Sequence, residues 1–158
     1  MSDAYVRLAT REDCLFLATR LREEDLNDVR VGGKAPEDAL LYSFESSNEC
    51  YTACGPDDVP FAVFGIYDIQ DDSDTPLKIG AIWLLGSDDI MKYARQFVDV
   101  SREWIEDFGS TRDMLFNYVH KHNRVHIRWL RRLGFCFVAE QTINNEPVYE
   151  FLRINTNV

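Results

Sequence analysis

Residues 117–137 have the sequence NYVHKHNRVHIRWLRRLGFCF, which contains all three histidines of the chain and five of its 17 Lys and Arg residues but no acid. The β-forming residues of MLFNYVH predict a strand over 114–120. NRVHIRWLRRL predicts a short helix over 123–133, and Gly134 is typical of the residue that ends a helix. Because apolar residues follow, this part of the chain predicts a strand–helix–strand unit.

Flanking segments extend this unit on both sides. KIGAIWLLG, residues 78–86, is apolar almost throughout, which is typical of a central strand covered on both faces. A long amphipathic helix is predicted after it, from about Asp88 to Phe108. Beyond the unit, FCFVAEQ and PVYEFLRI are joined by Asn144 and Asn145, which predict a closing β-hairpin.

The first half of the chain begins with a predicted strand, YVRLA, residues 5–9. Thr10 and Asp13 have the spacing of a capping box, so a helix is predicted to begin there. We expect this helix to continue through REDCLFLATRLREEDL until a Gly-Gly pair breaks it. Pro36 suits the first turn of a second helix, because proline lacks an N–H that would be unpaired there.

Apolar residues of the first helix lie along one line that ends in an acid. Cys14, Leu17 and Leu21 precede Asp25 on this line, which indicates an amphipathic helix with a charged C-terminal end. CYTAC and PFAVFGIYDI follow the second helix and are joined by GPDD, a strong turn signal. They predict two further strands.

The predicted order of elements is β-α-α-β-β-β-α-β-α-β-β, with no repeat and no linker that would divide residues 1–158 into more than one domain. Hairpins alternate with helical crossovers in this order. We therefore expect an α/β (α+β) fold with a mixed central sheet of about six or seven strands flanked by helices.

The composition restricts the function. The net charge of −10 argues against a protein that coats nucleic acid through its overall charge, although a local basic patch remains compatible with it. The chain has no apolar run of the ~18 residues that a membrane span needs. The N-terminus is polar from the start, so no signal peptide is predicted. Four cysteines without a second metal-binding pair suit free thiols in a reducing cytoplasm.

The C-terminal half resembles the GNAT N-acyltransferases. Many GNAT proteins have an Asn, a short helix and then an aromatic residue with Leu-Gly-Phe before the next strand. Here the matching residues are Asn123, the helix through Trp129, and Leu133-Gly134-Phe135. The N-terminal VRLATRED also resembles the opening strand and first helical turn of that superfamily. The resemblance implies a GNAT-like fold.

The chain is also similar to a group of phage proteins with GNAT-like folds, related to the internal core protein of podovirus heads. This resemblance covers nearly the whole chain and implies a virion-associated protein in the virion and the host cytoplasm. The segments that carry it are LREEDLNDV (21–29), FAVFGI (61–66), WLLGSDD (83–89), SREWIED (101–107) and NYV…N…HIRWLRRLGF within 117–135.

The chain departs from the GNAT pattern where coenzyme A would bind. GNAT enzymes hold the diphosphate of coenzyme A in a turn with the pattern R/Q-x-x-G-x-G/A, because glycines let backbone N–H groups approach the phosphates. The corresponding segment, LGSDDIMKYARQF, has only Gly86, and its acids Asp88 and Asp89 would repel an anion. We therefore expect no bound cofactor. If acetyl-CoA binds, its expected contacts are Leu84, Leu85, Gly86, Ser87 and Asn123.

A second departure concerns proton transfer. In many GNAT enzymes a Tyr of the helix after the Asn protonates the departing thiolate, and its aligned position here is Leu130, which cannot act as an acid. The candidates for a catalytic role that remain are His120, as a general base because imidazole is the side chain suited to proton transfer near neutral pH, and Tyr118.

His120, His122 and His126 together suggest a metal site, since imidazole binds zinc and nickel. We expect no metal, because no nearby carboxylate or thiolate is apparent as a fourth ligand. The more conservative interpretation is structural or solvent-exposed histidines, with His126 bonded to the adjacent strand end.

The arginines of 123–133 occupy one face of the predicted helix, because they recur at intervals of three and four residues. Either this face is solvated, with or without ion pairs to the acidic surface of the same protein, or it binds phosphates or an acidic partner. As a partner-binding surface it consists of Arg124, Arg128, Arg131 and Arg132.

Three functions remain open. The first is a phage-encoded virion protein with a GNAT fold and without efficient acyl transfer, contacting other virion or ejection proteins. The second is an active acetyl-CoA-dependent N-acetyltransferase. The third is a host-takeover or anti-defence protein that binds a host protein through its acidic surface. Nucleic acid is an expected partner only through the arginine patch, and a membrane is not expected.

Overall fold

The computed structural model describes residues 3–155, which form one seven-stranded sheet with helices on both faces. The strands are β1 (Tyr5–Leu8), β2 (Glu49–Cys54), β3 (Pro60–Ile69), β4 (Ile79–Gly86), β5 (Met114–His120), β6 (Cys136–Ile143) and β7 (Glu146–Ile154). The helices are α1 (Arg11–Ala18), α2 (Glu23–Val31), α3 (Pro36–Ser46), α4 (Ala94–Gly109) and α5 (Arg124–Arg132), with a 3-10 turn at Asp88–Met91.

The strand order is β1-β2-β3-β4-β5-β7-β6, and neighbouring strands are antiparallel except for the parallel pair β4–β5. The predicted α/β class and mixed sheet are therefore confirmed. The capping box of Thr10 and Asp13 is present, and Gly134 ends α5 with a φ of 88°. Asn144 and Asn145 both have positive φ, as a tight turn between two twisted strands requires.

The predicted number of helices before β2 is wrong by one. The segment expected to form one helix is divided into α1 and α2, because the chain between them leaves the helical path to contact the end of β4. Leu21 forms an isolated antiparallel bridge with Ser87, and the Arg22 N–H donates to the carbonyl of Gly86 at 3.0 Å. The helix predicted from Asp88 is likewise divided, and α4 begins only at Ala94.

Each face of the sheet has its own helices. Cys14, Leu17 and Leu40 of α1 and α3 pack with Val63 and Leu85 on one face. The other face packs against α4 and α5 through the side chains of Ile66, Ile82, Ile105, Phe108, Ile127 and Leu130. Consecutive strand residues alternate between the two faces, so β3 and β4 are covered on both sides, as the apolar sequence of β4 predicts.

The parallel pair β4–β5 is short. It extends from Ile79 to Ala81 on β4, opposite Met114 to Phe116 on β5, and the strands separate beyond it. The Asn117 side chain donates to the carbonyl of Ile82 at 2.7 Å just past this point. The separation opens a cleft in the middle of the sheet, and this cleft positions the candidate site. Within residues 3–155, no helix has the length and apolar composition of a membrane span.

Candidate functional site: the cleft between β4 and β5

Two cavities meet at the cleft. The α5 cavity, of about 210 Å³, lies between α4 and α5 and is lined mainly by apolar side chains such as Phe97, Val98 and Trp129. The α2–α3 cavity, of about 320 Å³, lies against α2 and α3 on the opposite side. Leu84 and Trp129 line both cavities. A molecule in the cleft would thus contact the end of β4 from either side of the sheet.

The loop after β4 uses its backbone N–H groups within the protein. The Gly86 N–H donates to the buried carboxylate of Asp25 at 2.7 Å, and the Ser87 N–H donates to the carbonyl of Phe61 at 2.9 Å. The Asp89 N–H donates to the hydroxyl of Ser87 at 3.3 Å, so the turn caps itself. These amides are the groups that a phosphate would need at this turn, and each has an internal acceptor.

Gly86 is required here by the adjacent strand. A Cβ atom at this position would lie 2.8 Å from the backbone oxygen of Phe61, closer than real Cβ contacts occur. The glycine therefore allows β4 to end close to β3. Its presence is explained without a bound phosphate.

Asp25 of α2 is the centre of a buried polar network that passes through the cleft. Its carboxylate accepts from Arg22 at 3.2 Å, from the Asn123 side chain at 3.0 Å and from the Gly86 N–H. Nε2 of His126 lies 3.2 Å from it, without good hydrogen-bond alignment. Burial raises the pKa of Asp25, and the positive charges of His126 and Arg22 oppose this.

Asp28, one turn further along α2, completes the network. It accepts from the backbone N–H of His120 at 2.7 Å and from the Asn123 side chain at 2.7 Å, and it lies 3.6 Å from Nδ1 of His126. Burial alone would lower the pKa of His126, because it disfavours the charged imidazolium. The negative charges of Asp25 and Asp28 have the larger effect, so the pKa of His126 is raised. The network ties α2 on one face of the sheet to α5 on the other.

The expectation that no carboxylate lies near the histidines is wrong, because Asp25 and Asp28 both face His126. These three side chains are ligand types that bind divalent cations. However, the amide nitrogen of Asn123 bridges the two carboxylates, where a cation would sit, and Arg22 already compensates the charge of Asp25. The donor set thus fits a charge-compensated network rather than a bound cation.

The two predicted catalytic residues lie in different surroundings. His120 is buried, with Nε2 3.0 Å from the carboxylate of Glu146 and Nδ1 accepting from the N–H of His122 at 3.1 Å. Tyr118 is half-buried and lines the α2–α3 cavity. Both ring nitrogens of His120 are therefore engaged in this structure, and the catalytic roles of His120 and Tyr118 stay predictions.

The predicted coenzyme contacts also separate. Leu84 faces both cavities and Leu85 faces the α2–α3 cavity, whereas Gly86 and Ser87 belong to the self-capped loop. Asn123 is fully buried, and its side-chain oxygen accepts from the His126 N–H at the start of α5. Binding of coenzyme A by these residues stays a prediction.

Sequence reasoning missed the site's acids, Asp25 and Asp28, and their cation Arg22. The alignment of Asp25 with Cys14, Leu17 and Leu21 was no valid signal, because Asp25 belongs to a separate helix, α2. Its partners could not be inferred, because they come from β4 and α5, distant along the chain.

The four arginines of α5 are exposed, as predicted. Within residues 3–155, none of them lies within ion-pair distance of a carboxylate. Arg128 and Arg132 line the α5 cavity, and the guanidinium of Arg131 lies 5.3 Å from the ring centre of Phe137. Within the described residues the arginines thus form no ion pair with the protein's own acids, and a solvated face and a partner-binding face both stay predictions.

Comparison with known proteins agrees with this architecture. Residues 77–142, less than half of the chain, match the family described as "Bacteriophage T7, probable scaffold protein Gp13". The matched region includes β4, α4, β5 and α5. The comparison with curated proteins finds no match.

Solved acetyltransferases share the fold along their whole length. AAC(6')-Ib in complex with ribostamycin and coenzyme A is 15% identical with a TM-score of 0.69, covering 97% of this chain and 94% of that one. A GNAT-family acetyltransferase from Streptococcus pneumoniae is 13% identical (TM-score 0.62; 98% and 100% covered). The ribosomal-protein-S5-alanine acetyltransferase from Vibrio fischeri is 15% identical (TM-score 0.61; 99% and 96% covered). The chain thus has a GNAT-like fold, with similarity to a phage protein family in its C-terminal half.

Proposed function

We propose that this chain is a GNAT-fold component of a phage particle or of its assembly, and that it acts by binding other proteins without efficient acyl transfer. The family matched over residues 77–142 is described as a probable scaffold protein, which supports a role in the particle. Other virion or ejection proteins are the proposed partners, and the virion and the host cytoplasm are the proposed locations. A fold alone does not determine an activity, whereas the chemistry of the cleft limits what can bind there.

One observation carries the proposal: the loop after β4 is closed against phosphate. The N–H groups of Gly86, Ser87 and Asp89 are bonded internally, and the carboxylates of Asp88 and Asp89 add negative charge at the same turn. The diphosphate of coenzyme A would have to displace Asp25 from Gly86 and approach two acids. Leu130, which is buried, stands where many GNAT enzymes have an acidic hydroxyl.

Titration calorimetry and thermal denaturation with acetyl-CoA test the enzymatic part. We expect neither heat of binding nor a shift of the melting temperature at millimolar ligand, because a ligand that binds the folded state must stabilise it. The double variant Asp88→Asn/Asp89→Asn separates the two causes. If charge alone excludes the ligand, this variant gains binding, whereas no gain means that the internally bonded amides exclude it. A melting-temperature increase of the unmodified protein would overturn the proposal.

Mass spectrometry of purified phage particles tests the structural part. We expect the protein in particles that have been washed free of host lysate, in constant ratio to the capsid protein. Its absence from the particles would remove the virion role.

A second candidate, acetyl-CoA-dependent N-acetyl transfer, is favoured by one feature of the cleft. The carbonyl of Ile82, which accepts from Asn117, is directed into the cleft. The N–H of Gly86, which donates to Asp25, is directed into it as well. Leu84 lies between them on the same alternation, so its N–H and C=O also face the cleft. The N–H could polarise a thioester carbonyl while an amine attacks from the α2–α3 cavity.

Release of free thiol from acetyl-CoA discriminates this candidate. An active enzyme would release thiol in proportion to added amine, such as a polyamine or the N-terminus of a peptide. A rate equal to that of the buffer with each amine would end this candidate, whatever the outcome of the particle analysis.

A further inference from the structure

The exposed face of α5 combines positive charge with a missing internal partner. Elsewhere in the described chain, arginines such as Arg7, Arg112 and Arg153 are paired with carboxylates. The four of α5 have no such pair, although the chain has 27 acids and a net charge of −10. Within the described residues, the positive charge of this face is therefore not compensated by a carboxylate of the same fold.

An apolar opening lies beside this charge. The α5 cavity is bordered by Arg128 and Arg132 and floored by Phe97 and Trp129, whose rings stack with centres 6.0 Å apart. Met91, half-exposed, forms part of its wall. A cavity of about 150 Å³ is sufficient for benzene, so one of about 210 Å³ accommodates a single Phe or Leu side chain.

The combination specifies the chemistry of the partner. Guanidinium groups bind carboxylates through paired hydrogen bonds, and an apolar centre with a charged rim is the usual anatomy of a protein interface. A long polyanion such as nucleic acid would also meet the acidic remainder of the surface and be repelled. A short acidic segment would contact only the arginine-rich face.

We propose that the α5 face binds an acidic segment of a partner protein, with carboxylates on Arg124, Arg128, Arg131 and Arg132 and one bulky apolar side chain in the α5 cavity. This inference rests on the proposed binding function, because coenzyme A in the cleft would compete for the same cavity. The apolar side chain and the arginines both contribute to affinity, and the arginines also set the orientation and association rate of the segment.

Fluorescence anisotropy with a labelled synthetic peptide tests it. The probe contains several Glu residues around one Phe, and two control peptides replace every Glu with Gln or the Phe with Ala. We expect saturable binding of the probe at low salt, about tenfold weaker binding of each control, and a loss of affinity as salt is raised, because exposed charges are screened over about 10 Å at 0.1 M.

Protein variants locate the site. Arg128→Gln/Arg132→Gln removes two exposed charges without breaking an internal ion pair, and Ala94→Phe fills the cavity while the arginines remain. Arg11→Gln/Arg20→Gln removes the same charge from the start of α1 and from the turn after it, on the opposite face of the sheet. We expect about tenfold weaker binding for the first two and unchanged binding for the third. Circular dichroism confirms that each variant is folded.

Specific outcomes overturn the inference. Equal loss in the α5 and α1 double variants would show that only net charge matters. Equal or tighter binding of a short single-stranded DNA would make the face a nucleic-acid site. Binding of the Gln peptide as tight as that of the probe would remove the role of the arginines. These three outcomes leave the proposed function unaffected. Competition of acetyl-CoA with the probe peptide, in contrast, would overturn the proposed function itself.

Discussion

At the scale of single residues, Gly86 has two conflicting interpretations. In a GNAT enzyme a glycine at this turn brings the backbone close to phosphate. In this structure it lets the end of β4 approach Phe61, whose carbonyl oxygen would lie 2.8 Å from a Cβ at this position. The two interpretations differ in what a methyl group at this position would do to the ligand-free protein.

Gly86→Ala tests this difference. Because the clash is with backbone, we expect the free energy of unfolding to fall by about 1–3 kcal/mol in the absence of any ligand, measured by urea denaturation. Gly32→Ala is the matched control, since the nearest atom to its Cβ would be 3.5 Å away and its φ of −77° is ordinary. If Gly86→Ala is as stable as the wild type, close packing against β3 does not explain the glycine, and the ligand-binding interpretation is favoured.

At the scale of elements, one carboxylate of α1, that of Asp13, adds polar contacts with two strands to the apolar packing of this helix on the sheet. Asp13 accepts two bonds from Arg7 of β1, one from Thr52 of β2 and one from the N–H of Thr10. Burial alone would raise the pKa of Asp13, but these donors outweigh it, so its pKa is lowered. A lowered pKa means that the ion pair contributes stability above the unfolded-state pKa of about 3.9 and loses it as pH falls through the folded-state value.

Asp13→Asn should therefore lower the free energy of unfolding by about 2 kcal/mol at neutral pH, because Arg7 is partly exposed and solvent weakens the pair. As pH falls through the folded-state pKa of Asp13, the wild type should approach the variant. Urea denaturation across the acid range measures this. Glu12→Gln, an exposed acid on the same helix, should change stability by no more than about 0.5 kcal/mol. A constant difference down to the lowest pH would contradict the assignment.

At the scale of the whole molecule, the polar network through the cleft replaces sheet hydrogen bonding where β4 and β5 separate. It joins the two helical layers, since Asp25 and Asp28 come from α2, and Asn123 and His126 belong to the N-terminal end of α5. His126 is protonated while its raised pKa exceeds the pH. Its contribution to stability is fully present below the unfolded-state pKa of about 6.5 and is lost as pH rises through the folded-state value.

His126→Gln should destabilise the protein by about 3 kcal/mol near pH 6, because it leaves Asp25 and Asp28 less compensated. The difference from wild type should shrink as pH rises through the raised pKa of His126, where the wild-type imidazole also loses its charge. Urea denaturation over this range measures the difference. His122→Gln, exposed and outside the network, is the control with no expected pH dependence. If the free energies of unfolding of the wild type and the variant differ by the same amount at every pH in this range, His126 is not charged in the folded protein.

The sequence by itself determined the sheet and most of its helices, because apolar alternation, Pro36, Gly134 and the Asn144-Asn145 turn act over a few residues. It also predicted the exposed arginine face of α5, which follows from helical spacing alone. Only the tertiary structure decided that α1 and α2 are separate, since pairing of Leu21 with the end of β4 overrides helix propensity. The same holds for the buried network, because a carboxylate of α2 meets its partners only after the strands separate and the chain folds through the cleft.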